Sequence, residues 1–133
     1  MHDFRQMINF DELTSDDTVT LARAAAEAIR GLNWATRHQA GLDQPSAAYD
    51  VIGALSLAAS RTGQALAQIT RYLDQALAAG RLGHDPAHAV DATAVFLSGA
   101  AASAAALAGD LDAAQQQLAP VNGRPAQPTR KDT

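Results

Sequence analysis

His84, Asp85, His88 and Asp91 form the cluster in this chain whose residue types and spacing suit a metal ion. Imidazole and carboxylate are ligands for divalent transition metals. His88 and Asp91, three positions apart, share one face of a helix, and His84 sits just ahead of it. The same residues also read as an ordinary helix start, with Asp85 as the N-cap, Pro86 at the first helical position and both histidines on the surface. That reading is preferred, because carboxylates at the positive end of a helix are stable there without a metal. No metal and no cofactor is expected.

A second pattern is electrostatic. Arg23, Arg30 and Arg37 recur every seven residues, so they line one helix face as a basic stripe that suits a phosphate backbone or an acidic partner. Glu27, between the first two, also fits a plain solvated face of i,i+3 and i,i+4 pairs, which is the preferred reading. The net charge of -4 gives no general footprint for nucleic acid. Nucleic acid is therefore not expected as a partner, and a nucleic-acid-associated accessory role using the stripe with Arg124, Arg130 and Lys131 stands as the alternative function.

Other chemistries find no residues to carry them. The chain has no cysteine, which removes disulfides, thiolate catalysis and cysteine zinc sites. Glu12 and Glu27 are the only glutamates, too few for a carboxylate-bridged diiron bundle. Ser46, Ser56, Ser60, Ser98 and Ser103 lack a G-x-S-x-G elbow and a neighbouring histidine, and no glycine-rich phosphate loop is present. An enzyme is not expected.

The elements that would carry these residues are helices. Thr14-Ser15-Asp16-Asp17 offers a hydroxyl cap and two carboxylates. Leu21, Ala25, Ala28, Leu32 and Ala35 then predict a first helix to about His38, with Gly31 and Asn33 as points of weakness or kinking. Pro45 or Ser46 opens a second helix to about Ala79, where Gly80 and Gly83 supply left-handed caps. Its apolar seam reads Ile52, Leu55, Ala59, Thr62, Leu66, Ile69, Leu73, Ala76. Pro86 opens a third helix to about Leu118, with the seam Val90, Ala94, Leu97, Ala101, Ala104, Ala108, Leu111, Gln115, Leu118. The short connection makes these two antiparallel, and seams of this length mark helices packed side by side in a coiled-coil manner.

The expected fold is therefore an all-α antiparallel bundle of three main helices over residues 14–119, dominated by a long hairpin. Residues 1–13 form an arm or short helix, and residues 120–133 a disordered tail. Alanine favours helix but buries little area, so a single bundle of this composition is thin in core volume and invites self-association. Leu97, Ala101, Ala104, Ala108 and Leu111 are the candidate interface. The third helix, smooth around Gly99 and Ser103 and uncharged from Ala92 to Gly109, is expected to be buried all round at the centre of the assembly. That stretch is read as a tight helix rather than a membrane span, because it is mostly Ala, Gly and Ser. Trp34, Tyr49 and Tyr72 are read as fillers of the core ends.

The runs Tyr49-Asp50-Val51-Ile52-Gly53-Ala54-Leu55, Gln68-Ile69-Thr70-Arg71-Tyr72-Leu73 and Ala78-Ala79-Gly80-Arg81-Leu82 resemble small, uncharacterised alanine-rich helical proteins of actinobacteria. The resemblance implies a cytoplasmic bacterial protein and carries over no functional residue. No secretory signal is read at the start, where Asp3 and Arg5 interrupt a short apolar run. The function expected is a helical interaction or assembly module, self-associating with a dimer favoured, or docking a protein partner.

Overall fold

The computed structural model describes residues 8–121, which are helix and connecting turn with no strand among them. Three long helices follow in chain order: α1 (Ser15–Arg37), α2 (Pro45–Ala78) and α3 (Pro86–Leu118). The protein is all-α, and α2 and α3 pack together as a long antiparallel hairpin. The chain resolves into two compact units, Met1–Asp43 and Gln44–Thr133. Residues 1–7 and 122–133 lie outside the described residues, and with them most of the expected arm and tail.

In the first unit, α1 begins with a capping box. Thr14 Oγ1 accepts the Asp17 N–H at 3.3 Å, and Asp17 Oδ2 accepts the Thr14 N–H at 3.1 Å. Two donors that the helix would leave unpaired are thereby satisfied. Gly31 and Asn33 do not break the helix: Ser15–Arg37 is continuous. One helical glycine costs about 1 kcal/mol against alanine, and the alanine-rich run before it offsets that. Beyond Arg37 the chain folds back through a 3-10 turn, Gln39–Gly41. A Cβ on Gly41 would meet the Ala35 carbonyl oxygen, so this close approach requires glycine. Ahead of α1, Asn9 caps a single 3-10 turn, Phe10–Glu12.

The hairpin is bounded by two different stops. Gly80 at φ 70 ends α2, with its own N–H on Leu77 O at 3.1 Å and the Arg81 N–H on Ala76 O at 3.0 Å. This is the double closure that a left-handed C′ glycine permits. Gly83 does not take up a left-handed conformation. At the start of α3, Pro86 stands in the first turn as expected, but Asp85 does not cap with its side chain. It sits at φ 48, ψ 56 instead. A residue before proline is disfavoured in the right-handed helical region, and aspartate tolerates the left-handed one better than most residues.

Packing between the two helices selects a different line on α2 from the one the apolar pattern suggests. The positions turned away from solvent run Ile52, Ser56, Ala59, Gly63, Leu66, Thr70, Leu73, with Leu55 half-buried beside this line and Ala76 buried as expected. Thr62 is exposed, and Ile69 is 47% exposed, so both leave the expected seam. The cause is closeness. A Cβ on Gly63 would lie 3.7 Å from Ala101 O and 4.0 Å from Ala104 Cβ, a separation that bulky leucine or isoleucine would prevent. On α3 every expected seam residue from Val90 to Leu118 faces inward.

Polar contacts fix the register. The Ser56 hydroxyl donates to Asp112 Oδ1 at 2.5 Å and also approaches Ala108 O at 3.0 Å, while Gln115 Nε2 donates to Tyr49 O at 3.2 Å. Ser56 is buried, and its hydroxyl is satisfied by these partners. A Cβ on Gly53 would collide with the Gln115 amide. Gly53→Ala should therefore exchange a helix-propensity gain of about 0.5–1 kcal/mol for a displaced hydrogen bond of similar worth, leaving stability nearly unchanged. In a Gln115→Ala background the same substitution should stabilise by the full propensity gain. Chemical denaturation of the four proteins of this cycle measures the coupling, and purely additive effects would show that Gly53 does not hold the Gln115 contact.

Candidate interaction surfaces

Leu97, Ala101, Ala104, Ala108 and Leu111 all lie on the half-buried face of α3 turned toward α2 of the same chain. Their small side chains let the two backbones come together and gain dispersion contacts along their length. Within a single chain the rest of α3 is not covered. Val95 is 69% exposed, Phe96 78% and Leu107 52%. One neighbouring helix covers one face, and α3 has no charged residue from Ala92 to Gly109 to suit the others to water. The segment Pro86–Val121 is long and apolar enough to cross a membrane by length and composition, with a mean hydropathy of 1.5 in its most apolar window.

On α1 the basic stripe is solvent-facing, and it gathers a tryptophan. Arg23, Arg30 and Arg37 are all exposed, and Arg30 Nε is bound to Glu27 Oε1 at 3.1 Å. Trp34 is 62% exposed, so it does not fill a core end as its type suggests. The Arg37 guanidinium stands 5.4 Å from the Trp34 ring centroid, and the His38 ring packs against it at 4.3 Å. His38 Nδ1 is 2.7 Å from Trp34 O. Since a carbonyl only accepts, Nδ1 carries the proton. An open groove of about 570 Å³ runs beside these residues, lined by Glu27, Arg30, Gly31, Asn33, Trp34 and Arg37. Tyr72 is likewise exposed, with the Arg81 guanidinium 5.8 Å from its ring centroid.

His84, Asp85, His88 and Asp91 do not converge: among the described residues no three histidine, aspartate or glutamate side chains gather as a metal would need. His84 instead borders a cleft of about 240 Å³ that also involves Leu73, Leu82, Ala89, Val90 and Thr93.

Sequence reading passed over the cross-hairpin set of Gly53, Ser56 and Asp112. Its signal is present, since Tyr49, Gly53 and Ser56 on α2 and Ala108, Asp112 and Gln115 on α3 are each spaced four and then three along the chain, so each trio shares one helix face. An apolar filter discards it. No family model, curated protein or solved structure matches the chain.

Replacing Ala101 by Leu adds bulk where α3 meets Gly63, and overpacking of this kind typically costs about 1–3 kcal/mol. The contact is within one chain, so the mass in solution should not change. Thermal or chemical denaturation with light scattering tests both statements, and an unchanged midpoint would mean that α2 and α3 are not closely packed at Ala101.

Proposed function

We propose that this protein is a helical assembly module that associates with itself through apolar surface left outside the hairpin, and that it works in the cytoplasm. One observation carries the reading: no large side chain is fully buried among the described residues, while Phe96 is 78% exposed. Burying one such side chain is worth about 1.5–3 kcal/mol, a large fraction of the stability of a domain this size. A second chain is the simplest source of that burial.

A second reading has one observation in its favour, the exposed Trp34 on the same face as Arg30 and Arg37. Stacking bases on an aromatic ring beside cations is how single strands are held without sequence preference. Glu27 already neutralises Arg30, which weakens this reading.

Light scattering across a salt series separates the two. Assembly through apolar surface should give a mass above that of one chain, unchanged from low to molar salt, because burial of apolar area is not screened. Binding to a labelled single-stranded oligonucleotide, with the unbound protein at the mass of one chain and affinity falling steeply with salt, would replace the first reading by the second.

A further inference from the structure

Exposed apolar residues stand on both sides of the hairpin, and the two sides differ in what stands among them. With Gly63 as the inward direction of α2, and about 100° per residue, Leu55, Thr62 and Ile69 lie roughly 80–120° round the axis in one sense. On α3, with Ala101 inward, Thr93, Ala100, Leu107 and Phe96 lie roughly 80–140° round in that same sense. In an antiparallel pair, rotations of the same sense bring both sets to one side of the hairpin. The clefts agree: Leu73 shares one with Ala89 and Thr93 on this side, and Gly53, Leu57 and Ser60 share another with Asp112 on the opposite side.

The two sides differ in charge. On the first, no charged residue occurs along α2 from Leu55 to Ala76 or along α3 from Ala89 to Leu118. On the second, Leu57 and Val95 are interspersed with Gln64, Gln68, Arg71 and Asp91. The first side is therefore uncharged, with Thr62 and Thr93 as hydroxyls among its apolar residues, and the second carries Arg71 and Asp91.

Resting on the assembly reading above, we infer that the uncharged side of the α2–α3 hairpin is the interface, and that its occupant is the same side of a second copy, closing a four-helix bundle. Size favours this occupant. Two helices of about 50 Å, set about 8–10 Å apart, present a side of roughly 50 by 20 Å, close to the ~800 Å² per partner that a stable interface needs. A helix as long as α1 spans about 35 Å and would leave an end of that side open. Two hairpins match along their whole length. The pairing would turn Phe96, Leu107 and Ile69 from surface into core.

Matched pairs of residues make the test. Ile69 and Leu57 are 47% and 49% exposed on opposite sides of α2; Phe96 and Val95 are 78% and 69% exposed on opposite sides of α3. Light scattering and sedimentation velocity on the full chain should show a dimer for wild type, Leu57→Asp and Val95→Asp, and a monomer for Ile69→Asp and Phe96→Asp. Helix content by circular dichroism identifies any variant that fails to fold. For such a case Phe96→Ala, read by dilution, should raise the dimer dissociation constant at least about tenfold, a loss of about 1.4 kcal/mol. A wild-type dimer that dissociates with Leu57→Asp and Val95→Asp instead overturns the choice of side and leaves the assembly reading standing. A wild-type monomer, including one that co-sediments with phosphatidylcholine vesicles, overturns both.

Discussion

Everything in the hairpin depends on how closely α2 and α3 approach. Gly63 opposite Ala101 and Ala104 sets that distance, because neither helix places a large side chain between the backbones there. The gain is many weak dispersion contacts rather than a few large burials. It requires small residues at every inward position along the central stretch, and the inward line Ser56, Ala59, Gly63 supplies them. A single leucine inserted at this distance would push the backbones apart.

Close packing has a consequence on the flanks. Ile69 stands beside the narrow seam rather than in it, as Phe96 and Leu107 do on α3. The hairpin thus keeps small residues where it is narrowest, turns Leu66, Leu73, Leu97 and Leu111 inward elsewhere, and still displays Ile69, Phe96 and Leu107. Short distance also brings polar groups within reach, so that Ser56, Asp112 and Gln115 tie the helices at one end. Side-chain hydrogen bonds of this kind add register where a uniform alanine surface would permit sliding.

The other unit rests on electrostatics. α1 carries Asp16 and Asp17 in its first turn and Arg37 in its last, each suited to the helix dipole. Its exposed face brings Trp34 among the arginines through the 3.6-residue repeat alone, since Arg30, Trp34, Arg37 and His38 are three or four positions apart. Cation–π and ring contacts then hold the exposed Trp34 side chain.

Local chemistry made much of this legible in the residues. Alanine-rich runs are helical wherever they pack, proline at a first turn and glycine after a last one mark ends, and the Thr14 capping box uses partners within three residues. The inward face of α3 was equally plain, because a single line of small and apolar residues fits its period. On α2 two lines fit, sharing Ile52, Ala59, Leu66 and Leu73 and differing in whether Leu55, Thr62, Ile69 or Ser56, Gly63, Thr70 stand between them. Hydrophobicity ranks the first line higher. Only the tertiary structure decides for the second, because the choice depends on the distance to α3, and a pattern within one helix holds no information about how near its neighbour will come.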